Sequence, residues 1–128
     1  MAIIEGQLKS ETGKIELPLK RSESNRSKRA VVKNGRLSIS EYETIKTTNN
    51  HSLVLIYLIT GRNHQIRAQM EYLKTPVVND TLYGAKLNKL IPPNAICLHS
   101  NNLNFKLFNE EFSFESPPPE FFNKVLEV

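Results

Sequence analysis

Cysteine and aspartate are nearly missing from this 128-residue chain, which has one of each, Cys97 and Asp80. A lone cysteine forms no intramolecular disulfide and no multi-cysteine zinc site, so a reducing, cytoplasmic setting is expected. With all other acids glutamates, chemistry that needs an aspartate must use Asp80 or one from outside these residues. No apolar run approaches the roughly 18 residues of a membrane helix, and no membrane partner is expected. The start, MAIIEGQLKSETGK, has no basic head and no long apolar stretch, unlike a secretory leader. His51, His64 and His99 lack metal-ligand spacing. No GxxxxGK[ST] phosphate loop occurs, which counts against a nucleotide-binding protein.

What is present is one domain's worth of alternating elements. Residues 2–7 and 13–17 read as short strands. Residues 18–36 form a basic loop in which Lys20, Arg21, Arg26, Lys28, Arg29, Lys33 and Arg36 face only Glu23. It is either solvated charge or a clamp on phosphates. With no aromatic side chain, it offers nothing to stack on a base. Asn34-Gly35 predicts a hairpin between 30–33 and 36–46. Leu53–Ile59 is a continuous apolar run, expected to be covered on both faces in mid-sheet. Two helices are too few to cover it, so an open apolar surface or sheet edge is expected, with self-association or a docked partner. Helical spacing follows, with Ile66, Met70 and Leu73 on one face and His64, Arg67 and Glu71 on the other. Pro76 ends that helix. Short strands are expected over 95–99, 103–107 and 112–114. A last helix carries Phe121, Phe122, Val125 and Leu126, with Ser116 as its N-cap. The class is α+β, mainly antiparallel strands with two helices.

Thr60-Gly61-Arg62-Asn63-His64-Gln65-Ile66-Arg67 lies where the apolar strand hands over to the helix. The helix start, Arg62, His64 and Arg67 together suit a phosphate or carboxylate. Gly61 reads as a backbone position that a side chain would hinder. Gln65 either caps the turn or reads a base. Asp80, Tyr83 and Gly84 read as a bracing turn, with Asp80 accepting backbone N–H bonds. His99 reads as structural. An i,i+4 ion pair with Glu71 is the plain reading of Arg67.

TGRNHQIR resembles the T-G-R-x-H-Q-I-R signature of the Rlu-type RNA pseudouridine synthases at every fixed position. The order of the other blocks agrees. TPVVNDTLYG is similar to H-P-I-V-G-D-x-L-Y-G, with Thr75 and Asn79 in place of histidine and glycine. Leu98-His99-Ser100 with Leu103 and Phe105 resembles L-H-x…L-x-F, and FESPPPEFFNKVL resembles F-x-S-P-x-P-x-x-F. The basic loop and Asn34-Gly35-Arg36 match R…(K/R)-x-x-V-x-x-x-G-K, and AIIEGQL resembles the strand after the family's active-site tyrosine.

The resemblance implies RNA, ribosomal or transfer, as substrate partner, isomerisation of uridine to pseudouridine, and neither metal nor organic cofactor. It also implies an aspartate nucleophile in an H-R-L-D motif, which these residues do not contain. Residues 1–128 are therefore expected to be a single partial domain, the C-terminal half of a pseudouridine synthase catalytic fold, inactive alone. Arg67 is expected to pair with the missing aspartate. Arg62, His64, Gln65, Lys20, Arg21, Arg26, Lys28 and Arg29 are the expected substrate contacts, and Gly61, Asp80, Tyr83, Gly84 and His99 the structural support. The alternative is a non-catalytic RNA-binding module.

Overall fold

The computed structural model describes residues 1–127. Strands β1 (Ala2–Glu5), β2 (Thr12–Arg21), β3 (Arg29–Val31), β4 (Arg36–Thr47) and β5 (His51–Leu58) form one sheet in the order β1-β5-β4-β2-β3, every pair antiparallel. Helix α1 (Gln65–Tyr72) and a 3₁₀ turn (Thr81–Tyr83) follow, then a separate hairpin, β6 (Asn102–Leu107) and β7 (Glu110–Glu115), and helix α2 (Phe121–Leu126). The expected class, α+β with mainly antiparallel strands and two helices, is what forms.

The core joins Ile3 and Ile4 of β1, Val54 of β5, Met70 of α1, Val77, Val78, Cys97, and Phe122 and Val125 of α2. α1 meets β4 through a polar seam instead of an apolar one. Gln65 and Gln69 are buried. Gln69 donates to Ser38 Oγ at 3.1 Å and accepts from Ser40 Oγ at 2.7 Å; Gln65 donates to Ser40 Oγ and to the Ile39 carbonyl. Buried amides persist only when paired in this way. The expected apolar face is correspondingly reduced: Met70 is buried, but Leu73 is 38% exposed.

α1 ends before Pro76 is reached. Lys74 turns left-handed (φ 62°), and Thr75 N–H reaches the Met70 carbonyl at 2.9 Å, closing a Schellman motif without glycine.

Several local expectations give way. Asn34-Gly35 makes no β3–β4 hairpin: both strands pair with β2, Leu19 facing both Val31 and Arg36. Neither Asn34 nor Gly35 takes the positive φ that a two-residue hairpin turn requires. Residues 95–99 form no strand; Cys97 accepts from Ile3 N–H of β1 and donates to the Val78 carbonyl, beside an isolated Ala2–Leu98 bridge. β5 is buried only in its first half; Tyr57, Leu58 and Ile59 are each more than half exposed. Its pairing with β1 stops at Val54. Ser116 caps nothing: the N-cap of α2 is Glu120, because three prolines hold the preceding chain out of the helix.

Candidate active site

α1 leaves β5 through a tight turn that Gln65 fastens. Its side-chain carbonyl accepts from Arg62 N–H at 2.9 Å and from Thr60 Oγ at 2.7 Å. With its amide spent on β4, Gln65 has no group left over for a base. It fills the capping alternative. Gly61 has an ordinary φ and nothing within 4 Å of where a Cβ would stand, so the expected steric need for glycine is corrected.

His64, at the N-cap, is left-handed (φ 55°), which turns its ring onto the 3₁₀ turn. That turn also brings Asp80 and Tyr83 to one side, since residues three apart eclipse in 3₁₀ geometry. Asn79 before it is left-handed (φ 69°). This accounts for the departure from glycine, because asparagine tolerates that region. Its side chain also braces the loop, donating to the Ala95 carbonyl and accepting from Asn88 N–H.

Arg67 points into this cluster and meets the chain's one aspartate. Its Nε and Nη2 donate to the two Asp80 carboxylate oxygens, both at 2.8 Å. Asp80 is 1% exposed. Arg67 is thus already paired within the chain, with a partner not expected for it, and the expectation of Asp80 binding backbone N–H groups is corrected. The Arg67–Glu71 pair does not form; Glu71 instead accepts from Lys28 Nζ at 2.7 Å.

Arg67 Nη1 donates to His64 Nε2 at 3.2 Å, so Nδ1 carries the imidazole proton and donates to Tyr83 Oη at 2.8 Å. Burial, then the positive charges of Arg67 and Arg29, lower the pKa of His64. The hydrogen bond to Asp80 leads the rise in Arg67's own pKa, opposed by burial. The Tyr83 hydroxyl also accepts from Arg29 N–H at 2.8 Å, and burial pushes its pKa up. The Arg67 guanidinium lies 4.8 Å from the centre of the Tyr83 ring. Of a guanidinium's five N–H donors, three are thereby used, and the two that remain belong to a side chain one-fifth exposed.

Beside the cluster lies an open cleft of about 530 Å³ lined by Lys20, Arg21, Arg29, Arg36 and Arg62, with no carboxylate on its wall. Signature turn and basic loop thus share one surface. Arg36 was not among the expected contacts; its place opposite Leu19 brings it in. Arg62 also donates to the Leu37 carbonyl at 3.0 Å. Arg26 is exposed and stands apart from the cleft, and Lys28 is turned away onto Glu71. Gly84 is left-handed (φ 91°), a true glycine position. His99 bonds the Ser116 carbonyl and packs edge-on against Phe122, away from the cluster.

The family described as RNA pseudouridylate synthase matches residues 1–72, more than half of the chain. The chain belongs to the RNA pseudouridine synthase family. Curated members bear this out. An uncharacterized RNA pseudouridine synthase of Bacillus subtilis, YlyB, is 30% identical over 98% of this chain and 42% of its own length. Ribosomal large subunit pseudouridine synthase C of Rickettsia bellii is 41% identical over 72% of this chain and 31% of its own. The dual-specificity RNA pseudouridine synthase RluA of Pasteurella multocida is 32% identical, over 91% and 55%. The fold agrees: human RNA pseudouridylate synthase domain containing 1 superposes with a TM-score of 0.80 at 22% identity, covering 92% of this chain and 53% of that one. The chain spans about half or less of the length of these pseudouridine synthases.

Proposed function

We propose that this chain is the C-terminal half of the catalytic domain of a pseudouridine synthase acting on ribosomal or transfer RNA in the cytoplasm, and that it is inactive alone. The observation that carries the reading is Arg67: held by Asp80 and His64, it keeps two N–H donors for another carboxylate. An aspartate supplied from outside these residues and set against that guanidinium stays ionised and oriented. That aspartate serves the reaction in which the bond from uracil nitrogen 1 to ribose breaks and ring carbon 5 takes its place. The cations of the cleft hold RNA phosphates while the uridine is exposed. Relatives named for the large ribosomal subunit favour ribosomal RNA.

The missing half has a place to dock. Leu55–Leu58 of β5 lie beyond the last β1 pair, and Tyr57, Leu58 and Ile59 stay exposed beside that edge. Exposed apolar surface at a sheet edge favours a further strand, from an upstream segment or a second copy. The second reading, an RNA-binding module without chemistry, is favoured by Asp80 already occupying the side-on face of Arg67.

Tritium release from carbon-5-labelled uridine RNA separates the two. No release by the chain alone and release on adding a synthase N-terminal segment bearing H-R-L-D supports the enzyme reading. Salt-dependent RNA binding with no release in either case supports the module.

A further inference from the structure

β3 is a poor strand by its own means. It is three residues long and pairs on one side only, with β2. Its register sets Arg29 directly across from Arg21, and like charges directly opposite destabilise a strand pair. Arg36 and Arg62 add positive charge to the same cleft, which has no carboxylate. Left to its ladder, this segment would fray away from the cleft.

What opposes fraying comes from the other side, from α1 and the 3₁₀ turn. The N–H of Arg29 donates to Tyr83 Oη at 2.8 Å, and Lys28 Nζ bonds Glu71 at 2.7 Å while lying 5.0 Å from the Tyr83 ring centre. Tyr83 is itself fully buried and anchored by His64 and Arg67. Neither Tyr83 nor Glu71 lines the cleft.

We propose that Tyr83 and Glu71 are positioning residues that clamp Lys28–Arg29 onto α1, so that the cleft meets RNA as a preformed cationic surface tied to the helix that carries Arg67. The inference rests on the reading that the cleft binds RNA. Ordering the segment before RNA arrives removes that cost from binding. Tyr83 thereby touches both the cleft segment, at Arg29, and the cluster of Arg67 and His64.

The test uses the full chain and a fluorescein-labelled, uridine-containing RNA hairpin, with affinity measured across a salt series and amide exchange measured on the free protein. Tyr83→Phe keeps the ring and removes the hydroxyl. It should weaken binding about fivefold, the factor for one net hydrogen bond. It should leave the salt slope unchanged, because the same phosphates are met. Arg29 N–H should exchange faster while Val54 N–H stays protected. Paired Arg29→Ala and Arg62→Ala should lower the salt slope by about two. Glu71→Gln is the sign test: added positive charge alone predicts tighter binding, whereas the clamp predicts about twofold weaker binding, a modest share of one net interaction.

Absence of salt-dependent binding by the wild-type chain, or arginine variants equal to it, overturns the RNA reading of the cleft. If the wild type binds and the arginine variants weaken, then Tyr83→Phe at wild-type affinity, loss of Val54 protection in that variant, or tighter binding by Glu71→Gln each overturns the clamp alone.

Discussion

Replacing Asp80 by asparagine keeps the shape of the side chain and removes its charge. Both carboxylate oxygens now take charge-assisted bonds from Arg67, and Asp80 is 1% exposed. Asparagine retains one acceptor and turns an NH₂ toward the guanidinium's own donors, so one bond is lost and one contact becomes donor against donor. Breaking one side of a buried ion pair costs about 3–5 kcal/mol. Arg67 keeps one-fifth of its side-chain surface in water, and solvent takes up part of the stranded charge, which brings the expected cost to about 2–3 kcal/mol. For a domain of this size each kcal/mol lowers Tm by roughly 3–5 °C, so a fall of about 6–15 °C is expected. Circular dichroism melts at pH 7 and urea titrations read it. Glu16→Gln, which breaks the exposed Lys14–Glu16 pair, serves as control and should cost at most about 0.5 kcal/mol. Joining Asp80→Asn to Arg67→Met should recover at least about 1 kcal/mol, since the stranded cation is gone. An Asp80→Asn protein that melts within about 2 °C of the wild type would refute the reasoning.

The lowered pKa of His64 has a signed consequence: between that value and the unfolded 6.5 the native chain binds fewer protons than the unfolded one, so its contribution is full above 6.5 and is lost as pH falls below it. Urea midpoints should therefore drop more between neutral and mildly acid pH in the wild type than in His64→Gln, and equal drops would contradict this. Gly35→Ala sets a Cβ 2.7 Å from Leu19 backbone atoms and should cost about 1–3 kcal/mol, whereas Gly61→Ala meets nothing and should stay within about 0.5 kcal/mol; comparable melts for the two would contradict the packing. Burial pushes the Cys97 thiol up to about 12, so Ellman's reagent at mildly alkaline pH should label it only once denaturant is added, and labelling of the native chain would contradict its burial.

The strand–turn–helix around residues 53–72 was legible because its signals are local: an apolar run, a turn, then helical spacing. Lys20, Arg21, Arg29 and Arg62 were each singled out, but that they line one cleft, without Arg26 and Lys28, comes from the fold. The partner of Arg67 was not legible. Asp80 comes into reach only because the chain stops α1 with a left-handed Lys74 and re-enters through a 3₁₀ turn; spacing on one helix pointed to Glu71 instead. Gln69 carried no signal in the sequence, and the burial of Gln65 and Gln69 depends on Ser38 and Ser40 of β4, far earlier in the chain. Asn34-Gly35 carried a hairpin signal that lost to pairing of both neighbours with β2. The exposed end of β5 follows from where β1 stops pairing, a tertiary fact that apolar composition does not encode.

The most direct measurement of the central claim, that Arg67 organises an acidic centre, is tritium release by this chain reconstituted with a segment bearing H-R-L-D, set beside the same mixture carrying Arg67→Ala. Release by the first and at least a hundredfold less by the second, on the order of the loss of a strong electrostatic contact at a reacting group, is the predicted result. Equal release by the two mixtures would contradict it.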